Sequence, residues 1–505
     1  MSYKDPCAIC AKNNQIEIKM EKTLSHLEPR RLWEWFEAIC QVPRPSKKEE
    51  RILEFLRNFA GEKGLEYDQD KAGNMLIRKP AAPGYEDRAT IVLQSHVDMV
   101  CEKNEGVEHD FDKDPIQPMI ADGWVKAKGT TLGADNGIGM AAQLAILEDG
   151  SLEHGPLECL FTVDEETGLT GAFNLEKDFV KGRILLNLDS EDDGELFIGC
   201  AGGIDTLVTF HYERVKPEAD HEAFQLSVTG LKGGHSGDDI HKGRGNAIKV
   251  LNRLLWNASK MYELRLAEIK GGNLHNAIPR EAFASFTIPK RHRSAMQTLI
   301  RELGEEIKAS MKTNEPGLQI QLKEGIMPDT LVDYGTQTKL LNALYGCPHG
   351  VMAWSPDIPD LVETSTNLAS VKMTDKEVIA VTSQRSSVTT GKNDIAHMVA
   401  SVFELAGAKV RHGDGYPGWT PNMDSRILEI TREAHKRLFK QEPKVLAIHA
   451  GLECGIIGEK YPGMDMISYG PTMRGAHSPD ERLEISTVEK FWDLTLEVLR
   501  NAPGA

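Results

Sequence analysis

The sequence predicts an α/β protein: a three-layer domain with a central mixed sheet that carries an inserted α+β domain. Its 505 residues exceed what one hydrophobic core usually supports, so we expect more than one domain. Short apolar strands alternate with helical patterns through residues 1–204, which favours a three-layer α/β unit. Alternating strands dominate residues 205–409, and residues 410–505 return to the first pattern. We therefore expect residues 205–409 to be inserted into a domain formed by the other two segments.

The first segment begins with two helices and continues with strands. Apolar residues recur at helical spacing from Leu27 to Phe59, with a turn at Pro43 and Pro45. Strands are predicted at GNMLIRK, ATIVLQSHVDM, LECLFTVDE and RILLNLDS. Between them, helices are predicted from near Asn136 and at TGAFNLEKDF.

The inserted segment mixes strands such as AFQLSVTGLKG and EAFASFTIPK with helices at GNAIKVLNRLLWNASK and AMQTLIRELGEEIKASM. After HGDGYPGWTPN, a helix is predicted at SRILEITREAHKRLF. The short apolar segments KVLAIHAGLECGII and DMISYGP follow it and resemble the strands of the first domain.

Composition and charge exclude several classes of partner. The formal net charge of −17 argues against general binding to nucleic acid or an anionic membrane, because like charges repel. No apolar run approaches the ~20 residues that span a bilayer. The opening MSYKDPCAICAKNNQ lacks the apolar core of a secretory signal. We therefore expect a cytoplasmic protein.

The eight cysteines are scattered and do not indicate a disulfide framework. Cys7 and Cys10 form a C-x-x-C pair, but no second pair stands at zinc-site spacing. We expect no functional site from this pair.

Polar residues stand where apolar segments end, and the first of these are His96 and Asp98. Residues two apart in a strand point to the same face, so the Asp98 carboxylate is able to orient the His96 ring. The alternative is that both residues only end a strand and bond to loop backbone. Asp135 lies between a glycine-rich turn and a helix start, where it is either a metal ligand or a helix N-cap.

Two further strands end in acids. Glu165 and Glu166 follow LFTVD, and Asp189 follows LLNL. Solvated turn carboxylates are one interpretation, and division of proton transfer and metal binding between neighbouring acids is the other. Ligands in open α/β sheets bind at the carboxyl ends of strands. Several strand ends with His, Asp or Glu therefore indicate a functional site more strongly than any one of these positions does by itself.

Carboxylates together with imidazoles suit a borderline divalent metal, above all zinc, with manganese or cobalt as substitutes. Cysteine is absent from these motifs, which argues against a structural zinc site. A further ligand is expected from the last segment, and His477 in YGPTMRGAHSPDERLEI is the candidate, although a loop histidine is often a bystander.

These stretches, in this order, resemble the two-zinc superfamily of aminoacylases, carboxypeptidases and dipeptidases, and most closely its aminoacyl-histidine dipeptidase branch. The resemblance runs from about Leu27 to the C-terminus and includes KGTTLGADNGIGMA, GCAGGID, LKGGHSG, NAIPREAFA, HAGLECG and HSPDE. It implies an inserted lid and dimerisation domain, two zinc ions per chain and a homodimer. The implied metal ligands are His96, Asp135, Glu166, Asp189 and His477, with Asp135 bridging the ions.

The resemblance also implies that Glu165 is the general base and that Asp98 supports His96. From the inserted domain, His235 in LKGGHSGDD is expected to help stabilise the oxyanion, the alternative being a turn histidine. Asn276, Arg385 and Arg280 are candidates to bind the substrate backbone or terminal carboxylate, and His275, beside Asn276, is a further one. A guanidinium group matches a carboxylate, although either arginine would also serve in a structural ion pair.

The predicted function is metal-dependent hydrolysis of unblocked dipeptides, including Xaa-His substrates such as β-alanyl-histidine. An aminoacylase or tripeptidase would use the same metal centre with a different pocket. A non-catalytic peptide-binding relative would keep the fold without the chemistry, and the complete acid set at Glu165 and Glu166 argues against it.

Overall fold

The structure is a computed structural model that describes residues 23–505. The Cys7 and Cys10 pair lies outside the described residues. The α-helices are α1 (Arg30–Cys40), α2 (Glu50–Lys63), α3 (Ala134–Glu148), α4 (Glu165–Gly168), α5 (Thr170–Asn174), α6 (Ala247–Tyr262), α7 (Arg293–Met311), α8 (Tyr334–Gly346), α9 (Thr389–Leu405), α10 (Arg426–Phe439), α11 (Glu453–Lys460) and α12 (Ile485–Arg500).

The strands up to residue 215 are β1 (Glu66–Gln69), β2 (Met75–Lys79), β3 (Ile91–His96), β4 (Pro118–Ala121), β5 (Trp124–Ala127), β6 (Leu157–Thr162), β7 (Ile184–Asn187), β8 (Glu195–Cys200), β9 (Gly202–His211) and β10 (Arg214–Val215). The later strands are β11 (His221–Thr229), β12 (Gly234–His235), β13 (Arg265–Gly271), β14 (Ala277–Ile278), β15 (Ala282–Pro289), β16 (Gln319–Glu324), β17 (Leu331–Val332), β18 (Gly350–Trp354), β19 (Val362–Met373), β20 (Glu377–Ser386), β21 (Lys409–His412), β22 (Lys444–Ile448), β23 (Asp465–Ser468), β24 (Met473–Arg474) and β25 (Arg482–Glu484).

The larger core surrounds an eight-stranded sheet in the order β1-β2-β6-β3-β7-β23-β8-β22. Strands β3, β6, β7 and β23 run parallel to their neighbours in the centre, whereas β1, β2 and β6 pair antiparallel. Every residue of β3, β6 and β7 is buried, which is why these strands read as continuous apolar runs rather than alternating ones. The sheet draws strands from both ends of the chain, and the predicted α/β class with a mixed central sheet is confirmed.

The second sheet has nine strands, in the order β16-β11-β15-β13-β19-β20-β9-β21 with β18 paired to β19. Its strands are antiparallel, and helices α6, α8 and α9 pack against it. Buried and exposed residues alternate along β11, as expected for a sheet covered mainly on one face. The predicted domain limits, residues 204 and 409, fall within β9 and at the start of β21.

One predicted helix is shorter than expected. The pattern TGAFNLEKDF predicts a helix over ten positions, but α5 ends at Asn174. The backbone becomes extended at Leu175, whose side chain is buried in the first core. Burial of this leucine therefore outweighs continuation of the helical pattern.

A loop of the second sheet also packs into the core around the first sheet. Residues 355–361 leave β18, and Ile358 and Leu361 in this loop are buried in the core around the first sheet. None of the helices formed by residues 23–505 has the length and apolar character that crossing a lipid bilayer requires.

Candidate metal centre and active site

The parallel strands β3, β6 and β7 lie side by side, so their carboxyl ends meet at one edge of the sheet. His96 is the last residue of β3 and is buried. Its Nε2 lies 3.0 Å from Asp135 Oδ1 and 3.4 Å from Asp189 Oδ1. On the other side of the ring, Nδ1 lies 3.4 Å from Asp98 Oδ1. The even spacing of His96 and Asp98 therefore directs both side chains into one site, as the sequence pattern predicts.

Asp135 stands at the start of α3, after a turn in which Gly133 has a positive φ of 69°. Its Oδ1 faces His96, and its Oδ2 lies 3.2 Å from Nε2 of His477. Asp135 therefore lies between two imidazoles that are far apart in the sequence. Asp189 follows β7, where the Asn136 side-chain amide donates a hydrogen bond to its Oδ1.

Glu165 and Glu166 form the first turn of α4, which begins three positions after the last residue of β6. Their backbone N–H groups donate to the two oxygens of Asp98, at 3.0 and 3.2 Å. Oε2 of Glu166 lies 2.9 Å from His477 Nε2. Asp98 therefore supports His96 with one oxygen and fixes the backbone of both glutamates.

The predicted ligands form overlapping groups in which the candidate ligand atoms lie within 4.8 Å of one another. Asp135, His96 and Glu166 each belong to two of the three groups, and Asp135 is the residue shared by the two groups that consist only of predicted ligands. These groups are His96, Asp135 and Asp189; Asp135, Glu166 and His477; and His96, Glu165 and Glu166.

The carboxylates determine how the two histidines titrate. Burial alone would lower the pKa of His96, but the charges and hydrogen bonds of neighbouring carboxylates, Asp189 and Asp135 first, raise it well above its ordinary value. Hydrogen bonds to Asp135 and Glu166 raise the pKa of His477 to about 11. Both shifts favour the protonated form of the rings.

The pKa values of the acids shift in two directions. Burial raises the pKa of Glu165 well above its ordinary value and also raises the pKa values of Glu166 and Asp189, with nearby negative charges adding to the effect. For Asp135, the hydrogen bonds from His477 and His96 outweigh burial and hold the pKa below its ordinary value. Crowded, buried acids of this kind are poorly stabilised without further positive charge.

The donor set fits divalent metal ions. It consists of imidazole nitrogens and carboxylate oxygens, which are the ligands that zinc and related metals take at catalytic sites. Across residues 23–505, no lysine or arginine forms an ion pair with any of these four acids, Asp135, Glu165, Glu166 and Asp189. Bound cations would supply the missing positive charge.

The candidates from the second sheet lie together in a separate group. Arg385, at the end of β20, is only 7% exposed, and its Nη2 lies 3.5 Å from Nε2 of His235. Its Nη1 donates to the Tyr416 hydroxyl at 3.0 Å, while its buried Nε has no partner. Within the described chain, no carboxylate is within ion-pair distance of Arg385, so the structural ion pair considered for this arginine is not formed.

His235 contacts the acid beside it and Arg385, but not the metal ligands. Its Nδ1 lies 3.2 Å from Asp238 Oδ2. Over residues 23–505, its hydrogen bonds and ion pairs do not reach the five candidate ligands.

Asn276 lies beside His235, because its backbone carbonyl accepts a hydrogen bond from Ser236 N–H at 2.8 Å. The Asn276 side chain is half-buried. His275 forms an ion pair with Asp205 at 2.9 Å, which favours a structural role. Arg280 is exposed and lines a cavity of about 740 Å³ on the second sheet, with Lys232 among its neighbours.

Sequence reasoning missed three buried charged residues near the strand ends: Arg44, Glu453 and Glu481. Glu453 accepts hydrogen bonds from Gln94 at 2.6 Å and Thr162 at 2.8 Å, and burial raises its pKa to about 7. Glu453 and Glu481 lie in HAGLECG and HSPDE, whose resemblance to known motifs was the available signal. Nothing in the local pattern indicates that their charges are buried.

A family model supplies the decisive comparison. The model described as peptidase family M20/M25/M40 matches residues 92–501. The chain belongs to this family. It is therefore a hydrolase of the metallopeptidase class, and the metal dependence of M20 peptidases agrees with its candidate His and carboxylate groups.

Alignments with individual relatives cover nearly the whole chain. It is 44% identical over 481 residues to a cytosol non-specific dipeptidase of Escherichia coli, covering 95% of this chain and 99% of the relative. The solved structure of aminoacylhistidine dipeptidase from Vibrio alginolyticus is 44% identical, with a TM-score of 0.90 over 95% of this chain and 98% of the other. A tripeptidase of Staphylococcus aureus, 16% identical with a TM-score of 0.56 over 94% and 99% of the two chains, shares the fold.

Proposed function

We propose that this M20 peptidase hydrolyses unblocked dipeptides, including Xaa-His substrates such as β-alanyl-histidine, at a centre of two zinc ions. The observation that carries the proposal is Asp135, whose two oxygens face His96 and His477 in two overlapping ligand groups. The dipeptidase names of the relatives from Escherichia coli and Vibrio alginolyticus support the substrate class.

The ligands divide around Asp135. His96 and Asp189 complete one site, and Glu166 and His477 complete the other, with manganese or cobalt as possible substitutes for zinc. When bound, such ions act as Lewis acids and lower the pKa of water toward neutrality. The protein contributes the ligand geometry and fixes His96 from behind through Asp98.

Glu165 is the proposed general base, and the carboxylate that fixes its backbone, Asp98, also supports His96 and Glu166. The backbone N–H of Glu165 is bound by Asp98, while its side chain makes no hydrogen bond within residues 23–505 and is available to a substrate. The carboxylate accepts a proton from the attacking water and delivers it to the nitrogen of the leaving amine. Its raised pKa suits a group that holds this proton between the two steps.

The second group of residues binds and orients the peptide. Arg385, buried and without a carboxylate partner in the described chain, is proposed to take the terminal carboxylate as a forked pair. His235, beside Arg385, is proposed to donate to the oxyanion, and Asn276 to the peptide backbone. Arg280 is the weakest candidate, because it is exposed and faces the cavity on the second sheet.

His235 forms no hydrogen bond or ion pair with the candidate ligands within residues 23–505, and closure of a lid around a substrate is a common way to bring such a residue to the reaction. We therefore propose that residues 205–409 form a lid on a catalytic domain of residues 1–204 and 410–505. A homodimer through the lid domain is proposed from the family resemblance, and size-exclusion chromatography with light scattering tests it. A cytoplasmic location is supported by the name of the Escherichia coli relative.

The deciding experiment combines metal analysis with a substrate panel. Purified protein loaded with zinc or manganese is assayed on dipeptides, tripeptides and N-acyl amino acids, with and without a chelator. We expect cleavage of dipeptides, loss of activity with the chelator, and recovery when metal is restored. Preference for tripeptides or N-acyl amino acids would replace the dipeptidase proposal, and tight peptide binding without any product would indicate a binding protein.

A further inference from the structure

Glu481 lies behind the candidate ligands and binds the turn that carries Asp135. It is 2% exposed, and both of its carboxylate oxygens face backbone N–H groups of residues 132–135. One oxygen accepts from Leu132 at 2.7 Å and Gly133 at 3.0 Å. The other accepts from Ala134 at 2.7 Å and Asp135 at 3.4 Å. Four consecutive donors therefore converge on one buried carboxylate.

Arg44 binds a backbone carbonyl of the same turn. It is 3% exposed, and its Nη2 donates to the carbonyl of Gly133. Its Nη1 donates to the carbonyls of Val97 at 2.9 Å and Asp98 at 2.7 Å. Arg44 therefore connects the end of the His96 strand to the turn before Asp135.

The turn between these charges accepts only glycine at its centre. Gly133 has a positive φ, and a Cβ atom there would lie 2.6 Å from Arg44 Nη2. The close approach of the guanidinium group thus depends on the missing side chain.

Glu481 also shares a hairpin loop with a ligand. Strands β24 and β25 pair antiparallel, and residues 475–481 connect them. This loop presents His477 to Asp135 and Glu166, while four positions later Glu481 binds the backbone in front of Asp135. The loop is closed by a hydrogen bond from Glu481 N–H to the Ser478 carbonyl at 3.0 Å. A shift of this loop would move one ligand and release the support of another.

We propose that Arg44 and Glu481 are positioning residues that set the spacing of the three ligand-bearing segments, β3, the Asp135 turn and the His477 loop. Neither side chain forms a hydrogen bond or ion pair with the five candidate ligand side chains within residues 23–505, so both act through the backbone. Burying two charges is costly unless their hydrogen bonds are satisfied, and here backbone groups satisfy them. This inference rests on the proposed metal centre, because its effect is on metal affinity.

The test measures zinc binding to metal-free protein by competition with a chromophoric chelator. Glu481→Gln keeps the size of the side chain but turns an amide NH₂ toward backbone donors. We expect zinc affinity to fall roughly 10- to 100-fold, as for other groups that orient ligands. We also expect kcat to fall while KM changes little, since the peptide-binding residues are not affected. Asp480→Asn, the same change on the exposed neighbour in the same loop, is the matched control and should bind zinc like the wild type.

Two further variants separate positioning from folding. Glu481→Asp keeps the charge and should recover part of the affinity lost in Glu481→Gln. Arg44→Lys keeps the charge but cannot span the three carbonyls, so it should also weaken zinc binding. Both side chains form hydrogen bonds with the backbone of Gly133. The effects of Arg44→Lys and Glu481→Gln on zinc affinity should therefore be non-additive.

The outcomes discriminate between the proposals. If the wild type binds no zinc, the proposed metal centre fails and this inference fails with it. If the wild type binds zinc and a folded Glu481→Gln variant binds it equally well, with only a lower melting temperature, Glu481 is purely structural and the inference alone is overturned. If Glu481→Gln does not fold, unchanged zinc affinity in Glu481→Asp and Arg44→Lys overturns the inference, and weakened affinity in both supports it.

Discussion

The metal side and the peptide side of the candidate site are built differently. On the metal side, His96 and Asp135 contact each other directly, and the backbone around them is bound by buried charges. On the peptide side, Arg385 is buried but has an unpartnered Nε, and His235 approaches it only to 3.5 Å. The candidate ligands of the first region contact one another directly, whereas Arg385 in the second region keeps an unpartnered donor.

This difference indicates which interactions belong to the free protein and which belong to the complex. The ligand side chains must be in position before a metal binds, so the residues that hold them are paired within the protein itself. Donors for a substrate must remain unpaired until it arrives, because a donor paired within the protein would have to break that bond first. The following predictions test this division, beginning with the largest expected effect.

Replacing Glu165 by Ala should separate chemistry from metal binding. We expect turnover to fall by about 10⁴-fold, because the proton acceptor is lost. Zinc content, measured by elemental analysis, should remain that of the wild type, since His96, Asp135 and Glu166 are intact. A variant that retains its rate would remove Glu165 from the role of base.

Asp135→Asn should damage both metal sites, whereas Asp189→Asn should damage one. Asp135 is the residue shared by the two groups that consist only of predicted ligands, namely His96, Asp135 and Asp189, and Asp135, Glu166 and His477. We expect activity to fall roughly 10³-fold in Asp135→Asn, in line with the several kcal/mol that metal ions contribute. Zinc titration should show fewer bound ions in Asp135→Asn than in Asp189→Asn. Equal stoichiometry in the two variants would contradict the bridging role.

Arg385→Lys and Arg280→Lys form a matched pair on the peptide side. A lysine at position 385 keeps the charge but loses the forked geometry, and we expect KM to rise roughly 10- to 100-fold, the worth of a hydrogen bond to a charged group. Because Arg280 is exposed and lies on the cavity of the second sheet, its variant should keep the wild-type KM. Steady-state kinetics on a dipeptide checks both. A larger effect at Arg280 would reassign the carboxylate site.

Zinc binding should release protons, with an affinity that falls as the pH falls. A histidine ligates metal only when its ring nitrogen is deprotonated, and the pKa of His477 is raised to about 11 by Asp135 and Glu166. At neutral pH the metal must therefore displace a proton, and each proton displaced weakens binding up to about tenfold per pH unit lost. Calorimetry in buffers of different ionisation enthalpy counts these protons. His477→Ala should release fewer, and an affinity that is constant from pH 6 to 8 would contradict the expectation.

Local pattern was enough to predict much of the metal side. The strand that ends at His96, the two-residue spacing to Asp98 and the helix start at Asp135 are properties of short stretches, and the structure brings these residues together. Their roles as ligands and base stay predictions.

The supports of the site were not predictable in the same way. Arg44 reaches Gly133 across 89 positions and Glu481 reaches Ala134 across 347, and charged residues are usually exposed. The spacing of apolar and polar residues along the chain does not indicate contacts between residues so far apart in sequence. The early end of α5 has the same origin, because burial of Leu175 depends on the rest of the core.

The late position of His477 has a consequence for synthesis. The first sheet also needs β22 and β23, so a nascent chain that has emerged only as far as the inserted segment lacks both strands and one histidine of the centre. Domains generally fold as units while the ribosome is still extending the chain. The central sheet and the proposed set of metal ligands are therefore both completed only after the inserted segment has been synthesised.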